Sequence, residues 1–392
     1  MISKKGLRIS IASSILLLAA LAGCNLPLNP LASSGVGQAT PEPQQAASAT
    51  PTLASLPVVP APDLQVLDML DGQDGWGLSD SAVLRTADGG ATWQNATPSG
   101  VTAVGLQASS FFLNASTGWV LLPGPDYSPG TLYHTTDGGA DWTASSFPYG
   151  GALLQFRDPA DGTALIPLGA GAGSEAVAVE GTADAGATWT QVFINDPTVT
   201  GSSASLPLGG QKSGLTFLDA SRGWVAGAEP MDDFIYLFAT RDGGHTWAHQ
   251  ELGMPSGISG VQAAAEAVQF FGDRDGVLPV SLFSDSPAMV FYLSHDGGNT
   301  WTPTTPVSTS GHYAIASASD FFVWDGGPSL QVSHDSGASW SSVSPNISVK
   351  EGLVSFQFVN AATGWALITG AGGAYSLYKT ADGGTTWIAL IP

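Results

Sequence analysis

The sequence predicts an all-β protein, a seven-bladed β-propeller of four-stranded antiparallel blades, on three observations. A motif of the form S/T-x-D-x-G-x-x-W recurs seven times. The steps between successive copies run from 39 to 58 residues, and repeat periods of about 20–50 residues mark solenoids, propellers and arrays. The composition agrees, because 50 of the 392 residues are glycine and only 11% are charged, a profile of short strands and many turns.

Each copy of the motif is predicted to be the structural turn of a β-hairpin. Its aspartate can accept hydrogen bonds from backbone N–H groups of a tight turn, its second glycine suits a left-handed backbone, and its tryptophan begins the next strand. The seven aspartates are Asp88, Asp137, Asp184, Asp242, Asp296, Asp335 and Asp382. The seven tryptophans are Trp93, Trp142, Trp189, Trp247, Trp301, Trp340 and Trp387. These tryptophans are expected to be core and wedge residues, with carbohydrate stacking as the alternative.

The first repeat can be divided into four strands, at 64–70, 75–78, 82–86 and 92–95. About 330 residues over seven repeats gives roughly 47 residues each, the size of a four-stranded blade. Each blade is expected to be complete within its own segment of the chain. Closure of the ring is then expected to rest on packing of the first blade against the seventh, unless residues 56–59 supply a further strand.

A second recurring feature is a Gly-Trp pair that precedes four of the motifs, with its tryptophan at Trp76, Trp119, Trp224 or Trp365. The motif itself is similar to the Asp-box, or BNR, repeat of sialidases, sortilin-type receptors and the photosystem II stability/assembly-factor propellers. In those families the box joins the third and fourth strands of a blade. A Gly-Trp pair followed by a box most resembles the assembly-factor family. The resemblance covers roughly 63–392 and implies the propeller fold.

The N-terminus predicts export and a lipid anchor. Three basic residues precede an apolar run at 9–21, which is too short to span a bilayer permanently and matches a signal peptide. The run ends in Leu-Ala-Gly-Cys24, similar to a bacterial lipobox, and Cys24 is the only cysteine in the chain. Lipidated Cys24 is therefore expected to hold the protein on the extracytoplasmic face of the cell membrane. The alternative is an ordinary signal peptide with a chance cysteine.

Three regions follow from these patterns. Residues 1–23 are predicted to be a lipoprotein signal peptide. Residues 24–62 are predicted to be the lipidated cysteine and a disordered tether rich in Pro, Ala, Ser and Thr. Residues 63–392 are predicted to be the propeller.

The charge pattern selects one face of the predicted propeller. The formal net charge of −21 opposes binding of nucleic acid. In a propeller, the connections from second to third strand and from fourth strand to the next blade share the face of the usual binding site. Acidic residues in the second-to-third connections are Asp80, Asp126, Glu175, Glu229, Asp232, Asp233, Asp285 and Asp325. Only Lys212 and Lys350 are expected as basic residues on that face. The acids are interpreted either as ordinary solvation or as a candidate binding rim that attracts a basic partner or cations.

The arginines bear on enzyme activity. A sialidase would need three arginines on the binding face to hold a substrate carboxylate. The five arginines after Cys24 all map to the opposite side, where the boxes lie: Arg85, Arg157, Arg222, Arg241 and Arg274. Other glycosidases need two carboxylates about 5 to 10 Å apart; no such pair is visible, although different blades could together supply one. The six histidines show no zinc spacing. We expect no catalytic residue, no metal and no cofactor.

The predicted function is that of a non-catalytic, membrane-anchored scaffold for binding or assembly outside the cytoplasm, as the resemblance to the assembly-factor propellers implies. The expected partner is a protein or cell-envelope component, which binds to a monomer that the lipid holds at the membrane. The alternative is a glycan-active Asp-box protein, either a sialidase-like glycoside hydrolase or a lectin. A photosynthetic client does not follow from the resemblance.

Overall fold

The computed structural model describes residues 55–105, 107–125, 129–309, 311–349, 352–370 and 373–391. The chain divides into two parts, Met1–Pro51 and Thr52–Pro392, and every described residue lies in the second. The predicted signal peptide, Cys24, most of the predicted tether, Asp126 and Lys350 therefore lie outside the described residues. Within the described ranges no helix is long and apolar enough to cross a membrane.

The described residues form short β-strands separated by turns. In chain order they are β1 (Val58–Val59), β2 (Val66–Met69), β3 (Gly75–Leu78), β4 (Val83–Thr86), β5 (Trp93–Asn95), β6 (Ser109–Phe112), β7 (Gly118–Leu122), β8 (Gly130–Thr135), β9 (Thr143–Phe147), β10 (Leu153–Phe156), β11 (Gly162–Gly171), β12 (Ser174–Thr182), β13 (Thr190–Ile194), β14 (Gln211–Phe217), β15 (Gly223–Ala228), β16 (Tyr236–Thr240), β17 (Ala248–His249), β18 (Gln262–Ala265), β19 (Gln269–Phe271), β20 (Asp275–Phe283), β21 (Ala288–Ser294), β22 (Thr302–Pro303), β23 (His312–Ile315), β24 (Phe321–Trp324), β25 (Leu330–Ser333), β26 (Ser341–Val343), β27 (Leu353–Phe358), β28 (Gly364–Thr369), β29 (Tyr375–Thr380) and β30 (Trp387–Ile391).

Successive strands pair antiparallel in groups of four, which we number as units in chain order. Unit 1 is β2–β5, unit 2 is β6–β9, unit 3 is β10–β13, unit 4 is β14–β17, unit 5 is β19–β22, unit 6 is β23–β26 and unit 7 is β27–β30. Units 4 and 5 are joined into one sheet by β18, which pairs with β15 at Ala228↔Ala264 and with β20 along its length. An all-β chain of four-stranded antiparallel sheets is the construction of a β-propeller.

The hydrophobic core lies between neighbouring units. Trp76 of unit 1 packs with Phe112 and Val120 of unit 2 in one buried cluster, and equivalent clusters join each later unit to its successor. A further cluster joins Trp93 of unit 1 to Trp365 of unit 7. Such side chains alternate along their strands with residues facing the other neighbour, so both faces of each sheet are covered.

The contact between units 7 and 1 needs no exchanged strand. The Gln357 side chain donates through Nε2 to the Met69 backbone oxygen (2.8 Å) and accepts from the Met69 N–H through Oε1 (2.7 Å). The Trp365 Nε1 donates to the Gly89 oxygen (2.9 Å). Residues 58–59 do form a strand, but β1 pairs with β5 of unit 1 and adds a fifth, outer strand to that unit.

Candidate functional site

The connections between strands gather at two opposite ends of the sheets. At the box end, the N–H after each box aspartate donates to the first-to-second turn of its own unit, as in Gly89 to the Gln73 oxygen (2.7 Å) and Gly243 to the Ser221 oxygen (3.0 Å). At the rim end, the other two kinds of connection meet: the Val104 N–H donates to the Asp80 oxygen (2.8 Å). Boxes and rim residues therefore occupy opposite ends.

The box of unit 5 illustrates the geometry of the boxes, in all of which Oδ1 of the aspartate accepts from the opening Ser or Thr hydroxyl and from the N–H four residues after the aspartate. Asp296 Oδ1 accepts from the Ser294 hydroxyl and the Thr300 N–H, both at 2.9 Å, and Oδ2 accepts from the Thr300 hydroxyl at 2.7 Å. The Thr300 hydroxyl and N–H hold the pKa of Asp296 down at about 2. Gly298 has a φ of 75°, and a Cβ there would overlap the Trp224 ring of unit 4. In each box the hydroxyl oxygen of the opening Ser or Thr accepts a hydrogen bond from the N–H of the glycine two residues after the aspartate. These glycines are Gly90, Gly139, Gly186, Gly244, Gly298, Gly337 and Gly384.

The box tryptophans pack between units. Trp93, Trp247 and Trp387 are buried, and Trp142, Trp189, Trp301 and Trp340 are half-buried. Two of their indole N–H groups donate to a carbonyl of the preceding unit, that of Trp142 to the Ala96 oxygen (2.8 Å) and that of Trp340 to the Thr305 oxygen (3.1 Å).

The arginines lie at the box end, where they bind backbone oxygens or nearby carboxylates. Arg85, in unit 1, donates to the Gly138 oxygen of unit 2 (2.8 Å). Arg222 and Arg241 of unit 4 reach the Gly297 and Gly298 oxygens of unit 5. The remaining two bind within their own units: Arg157 lies 3.8 Å from Asp161, and Arg274 donates to the His295 oxygen. These guanidinium groups join turns and neighbouring units rather than converging at the rim end.

The rim acids differ from one another in exposure. Asp80, Asp232, Asp233 and Asp285 are exposed, whereas Glu175, Glu229 and Asp325 are half-buried. Asp325 Oδ1 accepts from the Gly327 N–H (2.9 Å), and Asp233, with a φ of 57°, accepts from the Val261 N–H (3.3 Å). The structure thus places these acids at the rim end but gives some of them local structural contacts.

Lys212, expected on the acidic face, lies at the rim end but is buried there rather than exposed. It is 7% exposed, and its Nζ donates to four backbone oxygens, those of Glu175 (3.0 Å), Leu208 (2.9 Å), Gly209 (3.1 Å) and Gly210 (2.9 Å). Burial lowers the pKa of Lys212 to about 8, so the ammonium stays largely charged at neutral pH. In this group of residues, the Lys212 cage, backbone oxygens surround the ammonium, and the Glu175 carboxylate accepts from the Lys212 N–H (2.6 Å).

The rim end is elaborated in units 3 to 5. Strands β11 and β12 are ten and nine residues long and form an extended hairpin whose last pair is Gly171↔Ser174. A long connection, 195–210, joins β13 to β14, and β18 is inserted before unit 5. The signal for this feature in the sequence lies in the spacing of the boxes rather than in single residues. The two longest steps between box aspartates, 58 residues from Asp184 to Asp242 and 54 residues from Asp242 to Asp296, span this region.

Two clefts open among these elaborations. The first, the Phe283 cleft, has a volume of about 270 Å³. Its walls include Ala228, Glu229, Pro230, Gln262, Ala263 and Phe283. The second, of about 530 Å³, is lined by the 195–210 connection itself, including Val199 and Leu206. Among the described residues no three His, Cys, Asp or Glu side chains form a group that could hold a metal ion.

The sequence matches no protein-family model and no curated protein. The fold is similar to that of YCF48 bound to D1 peptide, at 17% identity and a TM-score of 0.51, covering 85% of this chain and 94% of that one. It is also similar to a GH74 xyloglucanase from Xanthomonas campestris, at 12% identity and a TM-score of 0.54, over 86% of this chain and 56% of that one. A PL25 ulvan lyase is similar at 10% identity and a TM-score of 0.50, over 86% of this chain and 94% of that one. At these identities the similarity establishes the β-propeller fold.

Proposed function

We propose that this chain is a seven-bladed Asp-box propeller and a non-catalytic binding or assembly scaffold, held outside the cytoplasm by a lipid on Cys24. Its partner, a protein or cell-envelope component, binds the rim end of units 3 to 5. The observation that carries the proposal is the concentration of the extended hairpin, the long connection and both clefts at that one place. Long connections on a rigid scaffold are the usual carriers of binding function.

The number of blades is supported by the core. Each unit shares a buried cluster with the next, and the cluster of units 7 and 1 completes the series. Each unit supplies one box and one first-to-second turn, as a blade does.

A protein partner is supported by chemistry and by similarity. The YCF48 structure holds a D1 peptide, so a propeller of this fold is capable of binding a segment of protein. In the present chain the arginines that could hold an acidic sugar are bound to turns at the box end. Xyloglucanase and ulvan lyase share the fold, and glycan action is therefore the outcome to test against.

Capture from solubilised membranes tests the rim. Charge reversal at Asp232 and Asp285 to Lys should weaken capture of a basic partner, most strongly at low salt, because screening shortens the range of the attraction. Reversal at Asp141 and Asp273, at the box end, makes the same change of charge and serves as the control. Both variants should melt as wild type, since exposed loop substitutions usually cost under about 0.5 kcal/mol.

Two results would oppose the proposal. Equal capture by the wild type and the rim variant at low salt would mean that the rim acids only solvate the loops. Turnover of any member of a glycosidase and lyase substrate panel would overturn the non-catalytic assignment.

A further inference from the structure

We propose that the Phe283 cleft takes one large apolar side chain of a partner segment that carries a lysine or arginine beside it. The inference rests on the proposed binding function and narrows it to one subsite and one kind of ligand.

The apolar part of the argument starts at Phe283. Its side chain is 54% exposed and is the only aromatic one among the exposed large apolar side chains that the structure describes. Met231, which is close in sequence to the cleft wall, is 45% exposed. Phe283 ends β20 and pairs across the sheet with Gln262 of β18, so the ring stands on a fixed strand rather than on a loop. Together with the apolar lining of the cleft, the ring forms a contiguous apolar surface, and such surfaces with a polar border mark interaction sites.

The size and the lining of the cleft favour a side chain over a sugar chain. Its volume of about 270 Å³ is near the lower limit of the roughly 300–1,000 Å³ of sites that enclose small-molecule ligands. Ala228, Pro230, Ala263 and Phe283 supply an apolar lining. A single leucine, methionine or phenylalanine is therefore a better occupant than an oligosaccharide.

The charge around the cleft selects the neighbouring residue of the ligand. Glu229 belongs to the wall, Asp232 and Asp233 are exposed in the same connection, and Asp285 is exposed two residues beyond Phe283. Lys212 is close enough to interact electrostatically with Glu229, but among the described residues no lysine or arginine forms a salt bridge with Asp232, Asp233 or Asp285. A ligand with a cation next to its apolar side chain gains attraction to these acids, and a second copy of this acidic chain does not.

Labelled peptides test the inference directly. The probe is a Gly/Ser-flanked peptide with one leucine between two lysines, compared with the same peptide carrying alanine for leucine or glutamate for lysine. Fluorescence anisotropy at low salt should show binding of the first peptide and at least about fivefold weaker binding of the other two. Phe283→Ala and Glu229→Gln should each weaken binding of the first peptide by a similar factor.

Matched controls keep the result specific. Val58→Ala removes another exposed apolar side chain, and Asp80→Asn removes a rim acid in unit 1; both should bind as wild type. Equal binding of the three peptides, or equal loss in the control variants, overturns the cleft assignment. If membrane capture persists while Phe283→Ala changes nothing, the cleft is wrong and the scaffold function stands. If no partner is captured at all, the scaffold function itself fails.

Discussion

At the scale of single residues, the box carboxylates are held by donors that exist only in the folded turn. Asp296 accepts from Ser294 and Thr300, and these bonds favour its charged form. Asp296→Ala should lower the free energy of unfolding by about 1–3 kcal/mol, because it removes several hydrogen bonds to a charged acceptor. Chemical denaturation at neutral pH measures the loss, and an unchanged midpoint would contradict the structural role of the box.

The pH dependence of the same variant has a defined sign. The pKa of Asp296 is lowered in the folded protein from its ordinary value of 3.8 to about 2, so its stabilising effect is complete above pH 4 and is lost as the pH falls through 2. The difference in stability between wild type and Asp296→Ala should shrink over that interval. A difference that stays constant from pH 4 to pH 2 would show that the carboxylate charge is not involved.

The buried ammonium of Lys212 gives a second prediction at this scale. Lys212→Met keeps most of the side-chain length but removes the ammonium from four carbonyl oxygens, of which that of Leu208 keeps another donor, the Glu175 N–H, and should cost roughly 2–4 kcal/mol. Hydrogen exchange should rise in 195–210. Lys379→Met is the control, since the Lys379 Nζ donates to a single carbonyl, that of Gly72 (3.3 Å). Equal melting temperatures for the two variants would argue against the cage.

At the scale of secondary-structure elements, two glutamines make the same bridge in different places. Gln357 binds both backbone groups of Met69 across units 7 and 1, and Gln155 binds both groups of Phe217 across units 3 and 4. Units 3 and 4 follow one another in the chain, whereas units 7 and 1 do not. Gln357→Ala should therefore lower the melting temperature more than Gln155→Ala, and should increase proteolysis near β2. The reverse order would show that the contact between units 7 and 1 does not limit stability.

The sequence predicted the strands better than it predicted the surface at the rim end. In unit 1 the strands observed at Val66–Met69 and Val83–Thr86 lie within the predicted 64–70 and 82–86, because glycine and aspartate mark the turns and apolar residues mark the strands. The Phe283 cleft could not be predicted from such patterns of turn and strand residues. Its wall combines residues of β15, β18 and β20, which are brought together only by the insertion of β18.

The direction of a side chain was equally hidden. Strand order placed Lys212 at the rim, on the same face as the acidic connections. Its ammonium instead points to carbonyls from the 195–210 connection and from Glu175, a contact that depends on the path of a long loop. Sequence spacing indicated that this region was enlarged but not which way its charges face.

At the scale of the whole molecule, anchoring is the prediction that decides where the propeller acts. Cys24→Ser removes the thiol to which a lipid would be attached, and should move the protein from the membrane fraction to the soluble fraction, because a single acyl chain or none holds a protein only weakly. Mass spectrometry of the wild-type N-terminus provides the independent measurement. Membrane association that survives the substitution, with an unmodified N-terminus in the wild type, would contradict the anchor.

The short strand β1 has a mechanical consequence. A pulling force on the chain before Leu56 first loads Leu56, which packs against the cluster between units 1 and 2, and the Asn95 N–H bond to the Pro57 oxygen (2.8 Å). The force then reaches β1, which is held at the edge of unit 1 by its pairing with β5 at Val58↔Gln94 and Val59↔Trp93. Farther along, Leu64 is buried between units 1 and 7, and the Asp63 carboxylate accepts from the Tyr375 N–H (3.2 Å). Under tension β1 would peel from β5 and lengthen the chain by a few residues, while the four strands of unit 1 and its contact with unit 7 remain in place.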